Sequence, residues 1–548
     1  MTSYDFDYLI VGSGFGGSVS ALRLTEKGYS VGVMEMGKRW GPENFPKTSW
    51  NLWKWLWKPA LGMHGFFNMK IFRHVVIAHG NAVGGGSVTY AATLLAPPDS
   101  VWRDGSWAGL DDWTKVMPGH YATAKRMLGV VQCADLGPAD HMLKKMAEVN
   151  GVAQRFHPVD VGIFYGDRHE ARGREYPDPY FGGEGPPRSS CVGCGGCAVG
   201  CRYNAKNSLD KNYLYLAEKR GTRVFAETRV VDVRPLKLNG NGRADGTEGY
   251  EVLTEKSNTW FARHPRRFTA RHVIFAASSL GTQDLLFRLK QQGSLPMISD
   301  DLGKRVRTNA ESVLGVRFLQ KGVNMTPGPC IASSVHIDDR THIEAIRYPK
   351  GSDTMGLMMT PLGRRDQPGF ARILDWLLTM LGMLLRHPLT TLRLLLPFGW
   401  AIQTLVLVCM QTLEGHLNMR FARPWYWPFC KTLISEGAPI SASIPEATAF
   451  VRRGAAAVGG HPMVMIPEIF FNVPLTAHCM GGCAMADSPE RGVIDAQNRV
   501  FGYQNLFVVD GSILGANLGV NPSLTITALA ERAMSFIPSR AAATGVQR

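Results

Sequence analysis

The sequence has few cysteines, and it has fewer acidic than basic residues. Ten cysteines in 548 residues are too sparse for a disulfide scaffold, which excludes a small secreted module held together by disulfides. The 45 acidic against 60 basic residues give a net charge of +15, so anionic lipid, nucleic acid and acidic substrates are candidate partners. Because no nucleic-acid-binding motif accompanies this charge, we expect no nucleic-acid partner.

Signals for export and membrane insertion are weak as well. The N-terminal MTSYDFDYLIVG carries two Asp and no basic segment, which predicts no signal peptide and a cytoplasmic location. Residues 394–413 hold no formal charge, but Pro397, Gly399 and two glutamines interrupt them. A spanning helix would have to bury both amides, so the stretch favours a buried strand, LVLVCMQTL, after a turn at PFG.

Glycine, by contrast, is abundant and clustered near the N-terminus. An apolar run at 8–11 is followed by GSGFGG, a helical pattern and a second apolar run, the order of a dinucleotide-binding βαβ unit. Gly12 suits the tight turn, Gly14 the approach of a pyrophosphate and Gly17 close packing of helix on strand. Glu35, at the end of the second run, is a candidate acceptor for ribose hydroxyls.

Further apolar runs indicate that this nucleotide-binding domain is discontinuous. RVFAETRVVDVRPL predicts a strand, the polar stretch 239–247 a hairpin loop, and VIFAASSLGTQ a buried strand that enters a glycine turn. NLFVVDGSILG predicts another strand, and NPSLTITALAERAMSFI a closing helix. We therefore expect a nucleotide-binding domain at 1–98, 205–311 and 467–548, and a substrate-covering domain at 99–204 and 312–466 that includes a Cys-rich loop at 188–208.

Two further blocks carry a family resemblance: HGNAVGGGSVTYAATL at 79–94, and HCMGGCAMAD at 478–487 with the segment LFVVDGSILGANLGVNPSLTITALAERA. Together with GSGFGG they resemble the glucose-methanol-choline (GMC) oxidoreductases, FAD enzymes that oxidise alcohols. The C-terminal block is most similar to that of bacterial cholesterol oxidases. The resemblance implies an α/β fold, in which a Rossmann-like FAD-binding domain is intertwined with a substrate domain built on an antiparallel sheet.

The resemblance also implies which residues contact the cofactor. Gly84, Gly85, Gly86 and Ser87 would run along the flavin and its phosphates, and Tyr90 stands where many relatives carry Asn. The further cofactor contacts implied in the same way are a backbone contact of Val230 with the adenine and a second pyrophosphate contact at Asp510 and Gly511.

Alcohol oxidation needs a base or strong acceptor near the hydroxyl oxygen. The resemblance indicates three candidate residues for the active site. His478, before MGGC, and Asn521, before Pro, match active-site positions of the family; histidine can share a proton near neutral pH, and an amide can hold the oxygen without titrating. Glu344, in THIEAIRYPKG, loosely matches a glutamate that faces the steroid in cholesterol oxidases. A solvated strand glutamate is the alternative interpretation of Glu344.

The cysteine run SSCVGCGGCAVGCRYNAKNSL places Cys191, Cys194, Cys197 and Cys201 at the C-x2-C-x2-C-x3-C spacing of bacterial ferredoxins. The sequence contains no second run, and Arg202 stands where proline usually follows. Three interpretations stay open: an iron-sulfur cluster, a four-thiolate zinc site, or free thiols in a glycine loop.

Two apolar segments carry basic residues, WNLWKWLWKPALGMHGFF at 50–67 and RILDWLLTMLGMLLRHPLTTLRLLLPF at 372–398. Either they form a hydrophobic mouth in peripheral contact with a membrane, or they pack in the core. The sequence thus predicts FAD-dependent oxidation of a hydrophobic secondary alcohol, a 3β-hydroxysterol above all. The alternatives are a lipid alcohol dehydrogenase that passes electrons to a carrier through an iron-sulfur cluster instead of to oxygen, and a lipid-binding flavoprotein with little turnover.

Overall fold

The structure is a computed structural model that describes residues 4–167, 169–237, 244–365, 369–424, 429–438 and 440–543. In chain order its helices are α1 (Phe15–Glu26), α2 (Leu52–Trp55), α3 (Gly86–Thr89), α4 (Trp113–Met127), α5 (Pro138–Val149), α6 (Tyr213–Lys219), α7 (Ser278–Gln292), α8 (Phe370–Arg386), α9 (Pro388–Leu395), α10 (Trp400–Gln403), α11 (Pro445–Ala457), α12 (Ile466–Phe471), α13 (Ser523–Ser535) and α14 (Arg540–Ala543).

The strands fall between these helices along the whole chain. They are β1 (Phe6–Val11), β2 (Val31–Met34), β3 (Trp57–Lys58), β4 (Met63–His64), β5 (Phe67–Ile71), β6 (Val76–Gly80), β7 (Val131–Gln132), β8 (Phe156–Pro158), β9 (Asp160–Val161), β10 (Glu175–Tyr176), β11 (Arg188–Ser189), β12 (Arg223–Phe225), β13 (Thr228–Pro235), β14 (Tyr250–Lys256), β15 (Arg266–Phe275), β16 (Ser312–Arg317), β17 (Ile331–His336), β18 (Thr341–Ile346), β19 (Met359–Pro361), β20 (Thr404–Gln411), β21 (Asn418–Ala422), β22 (Thr432–Glu436), β23 (His461–Met465), β24 (Leu475–Thr476) and β25 (Leu506–Val508).

The first large sheet is the nucleotide-binding sheet, in the order β12-β2-β1-β15-β14-β13, with β25 on β15. The strands β12, β2, β1, β15 and β25 pair in parallel, while β13 and β14 are antiparallel. The chain turns from β1 into α1 at Gly12 (φ +103°). Only glycine fits this position, because a Cβ there would lie 2.3 Å from the carbonyl oxygen of Ala276. A Cβ on Gly16 would lie 1.7 Å from the Val509 oxygen, so α1 packs against the end of β25 only without a side chain.

The second large sheet is antiparallel throughout, in the order β19-β23-β16-β20-β18-β17-β8. Its central strand β20 is buried along its whole length. Leu405, Leu407 and Cys409 of β20 belong to the hydrophobic cluster that includes α5 and α11. Val406 and Val408 point the other way, into a second cluster that includes residues of β6, α10 and β24. Burial on both faces explains why this strand is apolar at nearly every position.

These elements confirm the predicted fold class and correct two local predictions. The stretch 404–411 is the predicted buried strand, but α9 and α10 surround the turn that precedes it. No glycine turn follows β15, because α7 begins at Ser278 (φ +70°) and includes Gly281. Within the predicted hairpin loop 239–247, residues 239–243 lie outside the described residues.

All strands of the parallel-containing sheet lie in 1–98, 205–311 and 467–548, and all strands of the antiparallel sheet lie in 99–204 and 312–466. The exact domain boundaries stay a prediction.

Candidate active site

One cavity of about 790 Å³ lies between the two sheets. One end is bounded by the β1–α1 turn and by the glycine loop before α3. The other end reaches the antiparallel sheet and the start of α13. Of the residues predicted to contact a cofactor or substrate, those that line this cavity are Gly12, Gly14, Glu35, Gly85, Gly86, Val230, Glu344, His478, Asp510, Gly511 and Asn521.

The nucleotide end of the cavity is shaped by two glycine loops in contact. A Cβ on Gly85 would lie 2.6 Å from the Cα of Gly14, so neither loop has room for a side chain between them. A Cβ on Gly14 itself would meet nothing within 4 Å, because that position opens into the cavity. Together with the N-terminus of α1, this is the open backbone cradle that a pyrophosphate needs.

Glu35 lines the same end and is tied to the first glycine loop. Its carboxylate accepts hydrogen bonds from the backbone N–H (3.1 Å) and the hydroxyl (2.7 Å) of Ser13, and from the N–H of Gly37 (2.8 Å). Burial raises the pKa of Glu35, and these hydrogen bonds offset part of that effect. A carboxylate has about four acceptor positions, so capacity is left for a ribose hydroxyl.

Asp510 organises the turn after β25. It accepts from the N–H (2.8 Å) and hydroxyl (2.6 Å) of Ser512 and from the hydroxyl of Thr282 (2.5 Å), and burial raises its pKa. The carboxylate thereby fixes Gly511 at the cavity wall. Val230 also lines the cavity, and it lies next to a β-bulge in β13, where the ladder with β14 is interrupted.

Three predicted cofactor residues lie just behind the cavity wall and support it. A Cβ on Gly17 would lie 2.1 Å from the oxygen of Gly12. The Gly84 N–H donates to the Ser13 hydroxyl (3.0 Å), and the Ser87 hydroxyl donates to the Gly84 oxygen (2.7 Å). The Gly84 contact joins the two glycine loops, while the contacts of Gly17 and Ser87 lie within the first and the second glycine segment.

At the other end of the cavity, the structure brings the three predicted catalytic residues together. The Asn521 Nδ2 donates to Glu344 Oε2 at 3.2 Å and lies 3.5 Å from His478 Nε2. His478 follows β24, which pairs with β6, while Glu344 lies on β18 of the antiparallel sheet and Asn521 precedes α13. The cluster therefore combines three separate parts of the chain. Glu344 is a buried strand glutamate that faces the cavity, not a solvated one.

The sequence analysis missed a fourth member of this cluster, Glu311. Its Oε2 lies 3.1 Å from His478 Nδ1 and accepts hydrogen bonds from the hydroxyl of Thr476 (2.6 Å) and the N–H of Ala477 (3.3 Å). Burial alone would lower the pKa of His478, but the Glu311 carboxylate raises it above its usual value. The sequence NAESV around Glu311 contains no motif that could have marked this residue.

Two acceptor atoms of the cluster are buried without a partner, Glu344 Oε1 and Asn521 Oδ1. Burial raises the pKa of Glu344 to about 7, while Asn521 and His478 oppose the rise. An unpartnered buried acceptor is costly, so these atoms mark where a donor group of a ligand belongs. A hydroxyl group at this position would be within reach of both the His478 ring and the Glu344 carboxyl, an acid–base pair.

Similarity to known proteins shows to which family the chain belongs. The family model described as "GMC oxidoreductase" matches residues 471–530, and the one described as "NAD(P)-binding Rossmann-like domain" matches residues 10–76. A protein named "Cholesterol oxidase" from Acinetobacter baumannii is 60% identical over 540 residues, which cover 98% of this chain and 96% of that protein. The chain belongs to the GMC oxidoreductase family.

Other comparisons agree with membership of the GMC oxidoreductases. A "Cholesterol oxidase" from Mycobacterium tuberculosis is 43% identical over 544 residues, covering 98% of this chain and 92% of that protein. Among solved structures, pyridoxine 4-oxidase from Mesorbium loti has a TM-score of 0.60 at 17% identity and covers 96% of this chain and 98% of its own. At that identity the likeness concerns the fold alone.

Tyr90, which differs from the usual residue of many GMC oxidoreductases, lines the cavity. Its hydroxyl donates to the Asn207 oxygen (2.9 Å), and the Lys206 ammonium lies 5.1 Å from its ring centroid. Lys206 is itself buried and donates to the carbonyl oxygens of Val88 (2.7 Å) and Cys197 (2.8 Å). The tyrosine is thus fixed between the second glycine loop and the cysteine loop.

The four clustered cysteines surround a separate small cavity of about 20 Å³. Cys201 Sγ accepts from the N–H groups of Ala205 (3.3 Å) and Lys206 (3.4 Å). Among the described residues, no three of the cysteine sulfurs lie within 4.8 Å of one another, whereas sulfurs around one zinc ion at about 2.3 Å are about 3.8 Å apart. Whether these thiols bind a metal stays a prediction.

The two predicted apolar segments differ in exposure. In the first, Trp55 and Trp57 are buried while Trp53 is exposed. In the second, α8 and α9 expose a leucine surface made of Phe370, Leu374, Leu377, Leu378, Leu381, Leu384, Leu385, Leu389, Leu392, Leu395, Leu396 and Phe398. Arg364, Arg365, Arg386 and Arg393 are exposed beside it. Across the described ranges, no helix has the length and apolar character that a membrane span requires.

Proposed function

We propose that the protein catalyses FAD-dependent oxidation of a 3β-hydroxysterol to the ketone. The observation that carries this proposal is the single cavity that joins the nucleotide cradle to the buried cluster of His478, Asn521 and Glu344. Two relatives that are 60% and 43% identical over nearly the whole chain are named cholesterol oxidases. Between the two ends, the wall is apolar and includes Met355, Met359, Trp400, Val406 and Met465, which suits a fused hydrocarbon ring system.

The residues at the nucleotide end fit FAD. Gly14 leaves the space that a pyrophosphate would fill, Glu35 retains acceptor capacity for a ribose, and the bulge beside Val230 interrupts the ladder where an adenine would lie. When bound, FAD supplies the two-electron acceptor for the alcohol. The cluster at the other end has to position the hydroxyl group and take its proton.

We infer that Glu344 takes this proton at Oε1. That oxygen has no partner, and a carboxyl pKa of about 7 allows the ionised form to accept a proton at neutral pH. The Asn521 amide holds Glu344 by its other oxygen. His478, kept protonated more readily by Glu311, presents Nε2 as a donor to the substrate oxygen.

The deciding experiment mixes the FAD-loaded protein anaerobically with a 3β-hydroxysterol, its 3α-epimer or a long-chain primary alcohol, and follows the loss of flavin absorbance. We expect rapid bleaching with the 3β-sterol only. Bleaching by the long-chain alcohol alone would support the lipid alcohol dehydrogenase, and no bleaching by any of them would support the lipid-binding flavoprotein. His478→Ala should slow bleaching far more than it weakens sterol binding.

We propose oxygen as the final electron acceptor, reduced to hydrogen peroxide by the two electrons and two protons of the alcohol. The alternative is transfer to a carrier through an iron-sulfur cluster at Cys191, Cys194, Cys197 and Cys201, which surround one cavity. Anaerobically purified protein should contain no iron or acid-labile sulfide and should form one peroxide per sterol. Iron and sulfide that disappear in Cys194→Ser, together with activity toward one-electron acceptors, would favour the cluster.

We further propose that the leucine surface of α8 and α9 rests in the boundary of a sterol-containing membrane. A stripe of leucines beside exposed arginines suits the interface of a bilayer with anionic headgroups. The end of α9 is anchored to β16, because the guanidinium of buried Arg317 donates to the carbonyl oxygens of Leu394 (3.1 Å) and Leu396 (2.8 Å). It also packs against Met359 and Trp400, which line the cavity.

The membrane proposal is tested by flotation with vesicles of phosphatidylcholine, phosphatidylglycerol and cholesterol. The double variant Leu381→Glu, Leu385→Glu should lose vesicle binding while it still oxidises a detergent-solubilised sterol at the wild-type rate. Exposed Ile71, far from this surface in sequence, provides the matched control Ile71→Glu, which should float as the wild type does. Equal flotation of all three proteins would contradict the proposal.

A further inference from the structure

Three histidines that belong neither to the large cavity nor to the cysteine loop meet at one end of the antiparallel sheet. His336 of β17 pairs directly with His342 of β18, and Ser334 of β17 pairs with His157 of β8. Since side chains two residues apart on a strand share a face, all three imidazoles project to the same side of the sheet. Their ring centroids are 5.5 Å apart for His157 and His336, and 4.6 Å apart for His336 and His342.

The ring nitrogens come close enough to share a ligand. One nitrogen from each histidine lies within 4.8 Å of the other two, and no other such group of three occurs in the described part of the chain. An ion bound at about 2.0–2.1 Å by each nitrogen would draw them to about 3.4 Å of one another in a tetrahedral site. The nitrogens would therefore move toward one another by up to about 1.4 Å when the ion binds.

His342 is the histidine of this cluster whose surroundings most require a ligand. Its side chain is 1% exposed, and neither ring nitrogen makes a hydrogen bond of normal geometry. The Gly519 carbonyl lies within reach of one of them. The other nitrogen of this buried imidazole has no hydrogen-bond partner, which is costly unless a ligand occupies its lone pair.

The surroundings of His336 and His157 also favour the binding of an ion. His336 is partly buried, and its ring stacks against those of both His157 and His342. His157 Nδ1 lies 3.1 Å from the carbonyl oxygen of Arg155, which leaves Nε2 as the acceptor nitrogen, 3.2 Å from the Ser334 hydroxyl. A backbone carbonyl that fixes the tautomer in this way is the usual second partner of a metal-binding histidine.

We propose that His157, His336 and His342 bind one divalent transition-metal ion of the zinc class, with water in the remaining coordination position. Three imidazole nitrogens are a donor set that binds such ions in preference to calcium or magnesium. The ion would fasten β8 to β17 and β18. Because the guanidinium of Arg155 is paired with Asp339 (2.9 Å), it presents a partly compensated charge to the incoming cation.

The proposal is tested on the FAD-loaded protein, stripped with a chelator and dialysed against Zn²⁺, with bound metal measured by mass spectrometry. We expect one ion per chain, and an affinity at least tenfold weaker in His336→Gln and in His157→Gln. His141→Gln, at an exposed histidine of α5, and Cys194→Ser should bind as the wild type does. Undiminished binding by His336→Gln, or loss of the ion in Cys194→Ser alone, would overturn the proposal.

A second measurement needs no variant and so does not depend on how a variant folds. X-ray absorption of the zinc-loaded wild type should show a shell of nitrogen and oxygen at about 2.0–2.1 Å. A sulfur shell at about 2.3 Å would place the ion at the cysteines and refute the histidine site.

Discussion

Helices α8 and α13 are both rich in apolar residues, yet one lies on the surface and the other in the core. Of the 17 residues of α8 only Thr379 is buried, whereas in the 13-residue α13 every residue except Ile526 and Ser535 is buried. The difference lies in what each helix packs against. Helix α13 is enclosed by α1 and α4 in the core of the nucleotide domain, while the leucine side of α8 has no protein layer over it. Apolar composition alone therefore does not locate a helix.

The largest expected effect lies at Glu344 of β18, which accepts a hydrogen bond from Asn521 just before α13. Glu344→Gln keeps the volume of the side chain and an acceptor for Asn521 but removes the proton acceptor, so the rate of flavin reduction should fall by about 10²–10⁴-fold. In the wild type the rate should fall as the pH drops through about 7, because Glu344 becomes protonated. That acidic limb should disappear in the variant.

Stopped-flow reduction from pH 5 to 9 measures both effects. Leu385→Gln introduces the same amide on α8, where the side chain is exposed, and should leave the rate and its pH profile unchanged. A Glu344→Gln enzyme with the wild-type rate would remove Glu344 from the proposed mechanism.

The second-largest effect is expected in the glycine loop that precedes α1, where the pyrophosphate would bind. Gly14→Val should fold normally, because its Cβ meets nothing within 4 Å, but should weaken FAD binding by about 100-fold or more, since the side chain fills the pyrophosphate space. Flavin content after gel filtration and the thermal midpoint of the apoprotein give the two readouts. In α8, Gly382→Val also meets only an ordinary contact, at 3.8 Å, and should keep its flavin.

The third prediction tests the comparison of the two helices directly. Leu529 of α13 is 1% exposed and Leu385 of α8 is 75% exposed. Leu529→Ala should lower the free energy of unfolding by about 2–5 kcal/mol, whereas Leu385→Ala should change it by less than about 0.5 kcal/mol. Denaturant titration of the FAD-loaded proteins measures both; similar losses would mean that α8 is covered in solution.

The smallest effect is expected at Glu311. In Glu311→Gln, burial is no longer opposed by the adjacent carboxylate, so the pKa of His478 should fall. Flavin reduction should slow by about tenfold, the loss expected for one hydrogen bond to a charged group. NMR titration of the His478 ring follows the pKa, with Glu446→Gln at an exposed glutamate as the control; an unchanged titration would separate Glu311 from His478.

Local sequence was sufficient for the parts of the molecule that are built locally. The strand, glycine turn and helix around Gly12, Gly14 and Gly17 follow one another in the chain, and the family blocks placed His478 and Asn521. The sequence could not supply Glu311, because its contact with His478 depends on how β16 and β24 are placed in space. The three histidines were missed for the same reason, since only strand pairing brings β8, β17 and β18 together.

The exposure of α8 was left open by the sequence, because a stripe of leucines serves a core or a membrane equally well. The prediction of a turn at Gly281 was wrong for another reason. Glycine is tolerated inside a helix where packing is close, and α7 continues through that position.

Strand β18 also restricts how this protein can change in evolution. Ile343 and Ala345 point into the apolar layer under α5 and α11, while Glu344 points into the cavity between the sheets. Inserting or deleting one residue upstream within the strand would exchange the two sides, placing a carboxylate among aliphatic side chains and an isoleucine at the reacting centre. Changes of length in this part of the chain should therefore accumulate in the β17–β18 turn at 337–340 and not within β18.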